Sequence, residues 1–572
     1  MFEIRKYIRP YYAYIIFTVL IKLAAAGMEL LIPYLMEIML DVHVPAGQMN
    51  QIYIFGGLMF LCAGLCLFLN ILANRMSAIS SGRITKSIRH DLFQKLEHLS
   101  ARQMDELTIP SAESRLTSDT YNINMLLARV QRLGIRAPIL LIGGVAMMLG
   151  MNVSLSLVLL AMLPVISIVV YIVTKRSVPL YIRQQSVLDK VVRVVQENIT
   201  GIRVIKALSK TDYEKNRFHQ VNEELTAIDR KAGSITSINN PSTSLILNLG
   251  LTLVVLVGAF QVNDGATKSG VIVAFLQYFT MILNATVGIT RIFVMWSKGE
   301  ASARRVAEVL ATEEDLTVQP SQDPAEKPCH IEFRDVTFSY TGIGTNIDHL
   351  SFRLEHGQTL GILGPTGSGK STILNLLLRL YDPDSGEIYI DGQDIRTIPY
   401  ETLRKKFGAV FQNDFVMEGT IADNVRFFRD LEENQLMQAI TDAQADFIHE
   451  KEGGLNAEVM VRGNNLSGGQ KQRILISRAL AASPEILILD DASSALDYRT
   501  DANLRRALRQ NYRDTTTVLV AQRISSLRHA DLILVLSDGA VIGAGNHAHL
   551  MESCEEYRII AQTQMGDGKE GA

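Results

Sequence analysis

The chain has 572 residues, of which 48% are hydrophobic and 20% charged, more than one ordinary domain holds. Mean hydropathy is +0.15, too high for a purely soluble protein with that much charge. The formal net charge is −3, so no basic excess points to a nucleic-acid partner.

The apolar excess lies in the first half of the chain, which reads as membrane, and the second half reads as soluble. Residues 1–9 carry Arg5, Lys6 and Arg9 and predict a short amphipathic helix on the inner membrane surface. Six apolar segments follow, at 12–40, 52–73, 135–151, 153–174, 243–263 and 270–296. Each is near the ~20 residues that cross ~30 Å of hydrocarbon, so a lipid bilayer is the first partner implied. Only Asn152 separates the third from the fourth, which predicts a tight hairpin.

The first segment contains Lys22, Glu29 and Glu37. A charge at the bilayer centre costs at least ~2.5–3.5 kcal/mol, so such groups face a cavity or a partner. Glu29 has two readings at this level: recognition of cationic amphiphiles, or an ion pair across helices. Cys62 and Cys66, one helical turn apart in an apolar run, read as packing residues.

Lysine and arginine set the orientation. Stretch 74–134 contains nine of them and 175–242 contains twelve, whereas 41–51 has none. The basic stretches and both termini are therefore predicted to be cytoplasmic. Both stretches are poor in glycine and proline, with helical spacing such as Leu92, Leu96 and Leu99. Structureless loops of that length are unusual. The prediction is membrane helices that continue into the cytoplasm, each pair joined by a transverse turn near 110–115 and near 212–217. Residues 313–328, with three prolines and several acids, read as a linker. The expected domains are 1–312, a membrane domain, and 329–572, a soluble one.

In the soluble half, Leu360-Gly361-Ile362-Leu363 is a buried-strand pattern. It leads into Gly364-Pro365-Thr366-Gly367-Ser368-Gly369-Lys370-Ser371-Thr372 and then a helical run. Strand, glycine-rich loop and helix in that order form a phosphate cradle. The glycines let backbone N–H groups curl round phosphate oxygens at a helix N-terminus. Lys370 is placed to neutralise the β/γ charge and Ser371 to reach Mg²⁺. Asp490 ends a second buried strand, Ile486-Leu487-Ile488-Leu489, and is placed to hold Mg²⁺ through water. Tyr340 precedes the loop and is read as an adenine-stacking residue, the alternative being plain strand packing.

Leu466-Ser467-Gly468-Gly469-Gln470-Lys471-Gln472-Arg473 resembles the signature motif of ABC ATPases. Gln412 after Val410-Phe411 resembles the Q-loop, Ser494-Ala495-Leu496-Asp497 the D-loop, and Gln522 stands at the H-loop position. The resemblance covers essentially the whole chain, and 198–208 is similar to the family's second cytoplasmic loop. It implies an all-α six-helix transmembrane domain with long cytoplasmic helix extensions, fused to an α/β P-loop ABC ATPase domain. It also implies a half-transporter that dimerises, with ATP and Mg²⁺ as cofactors. Each ATP would lie between one subunit's P-loop and the other's signature loop. Ser467, Gly468, Gly469, Gln470 and Asp497 would then serve the ATP bound by the partner subunit, and Gln412 would join Ser371 and Asp490 at the metal.

Two residues depart from the family pattern on one chemical step. Asp491 stands where the family has a catalytic glutamate, and Gln522 where it has a histidine. Aspartate is one methylene shorter, and a misplacement on the order of 1 Å costs ~10²-fold. Glutamine can donate a hydrogen bond but carries no imidazolium charge. Met460 and Val461 replace a glycine and a glutamate of the family pattern. The resemblance is thus closest to the degenerate subunit of heterodimeric bacterial multidrug exporters. A second half-transporter, with glutamate and histidine at these positions, is the partner implied, and a hydrophobic or amphiphilic small molecule the substrate. A dedicated lipid, peptide or siderophore exporter, a homodimer with weak ATPase activity, and a non-pumping nucleotide sensor are the alternatives.

Overall fold

In lipid, an uncharged run of leucine, isoleucine and valine can satisfy its backbone N–H and C=O groups only within itself, so it becomes helix. The computed structural model of the chain describes residues 4–320 and 329–565; the rest of the expected linker, 321–328, lies outside the described residues. Among the described residues, six helices are long and apolar enough to span a membrane. Contacts divide the chain into two compact units, Met1–Glu97 with Pro110–Thr312, and His98–Ile109 with Glu313–Ala572.

The helices used below are α1 (Tyr12–Ile38), α2 (Met49–His98), α3 (Ala101–Leu107), α4 (Ile135–Met151), α5 (Val153–Thr200), α6 (Ile202–Ala207), α7 (Thr211–Ser237), α8 (Asn239–Asn263) and α9 (Ser269–Ala311). Several are far longer than a bilayer requires, as the cytoplasmic-extension reading expects. The long helices break at 99–100 and 108, and at 201 and 208–210, on either side of the short helices α3 and α6, rather than at 110–115 and 212–217. Ser100 caps α3, its side chain accepting the Gln103 N–H while the Gln103 side chain returns to the Ser100 N–H. That reciprocal pair is a helix-start signal in the sequence itself. Pro110 lies in the first turn of the next helix, where its missing N–H is harmless. At the second site Gly201 closes α5, and Asp212 and Glu214 fall in the first turn of α7, where acids suit the helix dipole.

In the membrane unit, α4 packs close to α1 and α9. A Cβ at Gly143 would lie 2.5 Å from Leu30, and one at Gly144 would lie 3.0 Å from Ile282, so these glycines permit the approach. The buried Tyr278 hydroxyl donates to the Leu30 carbonyl at 2.7 Å. A π-helical turn, Met39–His43, follows α1, and its Asp41 accepts the N–H groups of Gly270 (2.5 Å) and Val271 (3.0 Å). Asp41 thereby satisfies orphan donors at the start of α9.

Two of the charges of α1, Lys22 and Glu29, have partners. Lys22 Nζ donates to Asn70 (2.7 Å) and Asn74 (3.1 Å). Glu29 takes a bidentate fork from Arg136, at 2.6 and 3.1 Å. Of the two readings of Glu29, the ion pair is the one present. Near the N-terminus, Arg5–Ile8 forms an α-helical turn that leads through the 3₁₀ turn Arg9–Tyr11 into α1, and the Tyr7 hydroxyl donates to Asp91 on α2 at 2.8 Å; residues 1–3 of the expected surface helix lie outside the described residues.

Among its described residues the second unit has twelve strands: β1 (Ile331–Phe338), β2 (Ile347–Leu354), β3 (Thr359–Leu363), β4 (Ser385–Ile390), β5 (Gln393–Asp394), β6 (Phe407–Val410), β7 (Gly419–Thr420), β8 (Glu458–Val459), β9 (Ile486–Asp490), β10 (Thr516–Val520), β11 (Leu532–Ser537) and β12 (Ala540–Gly545). They form sheets in the orders β2-β1-β4-β5, β12-β11-β3-β10-β9-β6 and β7-β8. In the six-stranded sheet, β11, β3, β10, β9 and β6 are parallel. All five residues of β9 are buried, as expected for a strand covered on both faces. The short helix α3 belongs to this unit. Tyr381 donates to Asp105 at 2.5 Å, Ser100 to Asp315 at 2.8 Å, and Gln103 to the Glu313 carbonyl at 2.6 Å.

Candidate functional site

β3 runs into the glycine loop, and α10 (Lys370–Leu377) leaves it. Gly367 and Gly369 sit at φ +86° and +98°, where a side chain is strained. At Gly369 a Cβ would also meet the Asn346 carbonyl at 2.7 Å. The loop therefore closes tightly onto a helix N-terminus, an arrangement that offers N–H groups to an anion. Lys370 folds back, its Nζ donating to the carbonyls of Gly364 (2.9 Å) and Pro365 (2.6 Å). Burial lowers the Lys370 pKa, while Asp490 and Asp491 oppose that shift.

Ser371 Oγ donates to Asp490 Oδ2 at 3.0 Å, joining the loop to the end of β9. Asp490 is buried, and burial raises its pKa. A hydroxyl beside a desolvated carboxylate is an all-oxygen donor pair, the kind that suits Mg²⁺. Asp491 follows in the left-handed region at φ +52°, with its N–H bound to the Val520 carbonyl at 3.0 Å. Burial raises its pKa too, against the opposing pull of Arg523 and Lys370.

A cavity of about 290 Å³ gathers these groups. From the loop come Thr366, Gly367, Gly369, Lys370, Ser371 and Thr372, and from elsewhere Tyr340, Gln412, Asp490, Asp491 and Gln522. Tyr340 lines the cavity and packs edge-on against Phe338 and Tyr381, with Asn375 donating to its hydroxyl at 3.0 Å. Gly364 and Ser368 form the underside of the loop. A Cβ at Gly364 would lie 2.5 Å from the Leu536 carbonyl, and Ser368 is 2% exposed.

Asn346 also lines the cavity, and no motif pointed to it. Its Oδ1 accepts the Tyr340 N–H at 3.0 Å and its carbonyl lies under Gly369. The only local signal is its place in the glycine-containing turn between β1 and β2.

The signature residues stand apart from this cavity. Ser467 caps α11 (Gly468–Leu480), and Gln470 closes the reciprocal box. Gly469 approaches the Ala495 carbonyl so closely that a Cβ would sit 2.9 Å from it. Gln472 accepts the Ala495 N–H at 2.9 Å and donates to Ser494 at 3.1 Å, joining α11 to the D-loop. Asp497 caps α12 (Tyr498–Asn511) through Thr500. Met460 and Val461 are exposed on the surface.

Comparison with known proteins follows the same division. Residues 15–287 match the ABC transporter transmembrane region, and residues 347–494 match the family described as ABC transporter. The chain is 32% identical over 570 residues to YfiB of Bacillus subtilis, an uncharacterized ABC transporter ATP-binding protein, covering 98% of both. It is 33% identical over 469 residues to a fatty acid ABC transporter ATP-binding/permease protein of Mycobacterium bovis, covering 81% of this chain and 74% of that one. A solved bacterial Atm1-family ABC exporter with ATP bound shares the fold, with a TM-score of 0.80 at 24% identity, over 98% of this chain and 99% of that one. The chain belongs to the ABC transporter family, and its membrane and ATPase halves lie on one polypeptide in the fold of an exporter half-transporter.

Proposed function

We propose that this ABC half-transporter exports hydrophobic or amphiphilic compounds as one half of a heterodimer, and that its own Walker motifs form the slow ATP site. The observation that carries the reading is that Asp491 and Gln522 line the same cavity as Lys370, Ser371 and Asp490. The groups that hold nucleotide are in place, while both groups that promote hydrolysis are replaced.

ATP would seat its phosphates on the loop, and Ser371, Asp490 and Gln412, which line the same cavity, would hold Mg²⁺. The bound metal would supply charge neutralisation at the β/γ-phosphates. Asp491 begins one methylene short of the attacking water, and general-base help is worth ~10²–10⁴-fold. Gln522 supplies a neutral donor where the family has an imidazole. Binding is retained and turnover falls.

The signature loop carries Ser467, Gly469 and Gln470, standing apart from its own chain's cavity, which supports its use on the partner's ATP. A pure nucleotide sensor has no need of such a loop. For the cargo, the paired state of Glu29 and Lys22 favours apolar recognition over a fixed charge. The relative named for fatty acids also handles an amphiphile.

Purified alone, the chain should bind a non-hydrolysable ATP analogue but show little ATPase activity. Adding the second subunit should restore turnover. Robust ATP hydrolysis by a homodimer of this chain would end the heterodimer reading.

A further inference from the structure

Away from the nucleotide cavity, three side chains converge that phosphate chemistry does not use. His330 directly precedes β1, His356 lies in the turn between β2 and β3, and Asp391 directly follows β4. The parallel strands β3 and β10 begin here, at Thr359 and Thr516. The P-loop lies at the other end of β3, five residues on, or roughly 16 Å at ~3.3 Å per residue.

His330 is fully buried. Its Nδ1 lies 2.6 Å from Thr516 Oγ1, and that oxygen also accepts the Gly357 N–H at 3.1 Å. Its Nε2 is buried with no hydrogen-bond partner, a state that folded proteins rarely leave unexplained. His356 Nε2 lies 3.0 Å from Asp391 Oδ1, and His330 Nε2 lies 3.9 Å from the same oxygen. The three ligand atoms all lie within 4.8 Å of one another. A tetrahedral ion with bonds of ~2.0–2.1 Å holds neighbouring ligand atoms about 3.3 Å apart, so the 3.9 Å separation must shorten and the 3.0 Å one lengthen for an ion to seat.

The local charge suits a cation. Lys406 reaches Asp391 Oδ2 at 3.0 Å but is itself paired with Glu485, so the Asp391 charge is not cancelled. A ligating histidine commonly anchors its other nitrogen to a second group, the part Thr516 plays here. The two rings stack at 3.8 Å with 11° between their planes, so one ring must tilt before both can face a single ion. His356, 62% exposed in its side chain, is free to tilt toward a shared ion while His330 stays fixed. Two imidazoles select borderline transition metals over Mg²⁺ or Ca²⁺.

We propose that His330, His356 and Asp391 form a three-ligand site for a divalent transition metal of the zinc class on the ATPase unit. A bound ion would fasten the start of β1 to the turns after β2 and β4, and so stabilise this unit.

The test uses the full-length chain in detergent, stripped with a chelator and free of nucleotide. Titration with Zn²⁺ should show one tight equivalent per chain, and Co²⁺ should give the visible absorption of a tetrahedral site. Zn²⁺ should also raise the thermal midpoint. His356→Ala and Asp391→Asn should each weaken Zn²⁺ binding by about tenfold or more and abolish the cobalt spectrum. His356 is exposed, so its alanine variant should stay folded, which unchanged ATP-analogue affinity will check. Zn²⁺ affinity in His356→Ala equal to that of the wild type, or less than half an equivalent bound by the wild type, would overturn the assignment.

Discussion

Asp491 and Gln522 differ from a hydrolytic pair by one methylene and one ring, and the backbone around them explains why the difference matters. Asp491 sits at φ +52°, a conformation that aspartate tolerates better than most side chains. Its N–H is fixed to the Val520 carbonyl, two residues before Gln522. The carboxylate therefore starts from a held backbone and has little freedom to recover the missing length. Asp491→Glu combined with Gln522→His should raise turnover at this chain's own P-loop site by ~10–10²-fold, toward the range of general-base help. The measurement is steady-state ATP hydrolysis in a dimer whose partner has an inactivated P-loop. No gain would mean that something other than these two groups limits the site.

Glu29 and Arg136 raise a separate question at the same scale. Arg136 Nη2 lies 2.6 Å from Glu29 Oε1, with side-chain exposures of 39% and 22%. Glu29→Gln leaves the guanidinium without its counter-charge, at a cost comparable to the ~2.5–3.5 kcal/mol of a charge at the bilayer centre. The expected result is a lower thermal midpoint in detergent and an equal loss of transport for cationic and neutral substrates. Adding Arg136→Gln should recover part of the stability. A selective loss for cations alone would return Glu29 to substrate recognition.

At the scale of elements, the short helix α3 shows how local capping and tertiary contact divide the work. Ser100 and Gln103 start the helix by closing its first turn, a contribution of ~1 kcal/mol for such a cap. The Tyr381–Asp105, Ser100–Asp315 and Gln103–Glu313 bonds then hold it within the ATPase unit. Hydrogen bonds to charged groups are worth ~1.5–3 kcal/mol, so the Tyr381–Asp105 and Ser100–Asp315 bonds are the stronger of these ties. Tyr381→Phe should leave ATP-analogue affinity unchanged but reduce the stimulation of ATPase activity by transported substrate. Stimulation equal to wild type would show that α3 does not carry the signal.

For the whole molecule, one chain's motifs divide between two ATPs under the heterodimer reading, so its variants should act unequally. A bulky residue at Ser467 disturbs the loop that serves the partner's ATP and should nearly abolish turnover of the dimer. Asp491→Asn should change little, because its site contributes little. Lys370→Ala should fall between, since it removes bound nucleotide rather than chemistry. Steady-state ATP hydrolysis by each variant with a wild-type partner decides the point. Equal inactivation by the Ser467 and Asp491 variants would make the two sites equivalent.

The amino-acid sequence by itself determined the features that depend on near neighbours. Apolar length marked the six spans, and the order of strand, glycine loop and helix marked the phosphate cradle, because periodicity and backbone freedom act over a few residues. The Ser100–Gln103 box was equally local, and reading the turn at 110–115 instead gave undue weight to Pro110, which a helix accepts in its first turn. Tertiary structure alone decided the rest. Arg136 meets Glu29 across 107 positions and Asp41 caps a helix 229 positions away, while Asn346 and the His330, His356 and Asp391 cluster come together only through sheet topology. Such pairings follow from how whole elements pack, and no short-range pattern encodes which distant side chain will be the neighbour.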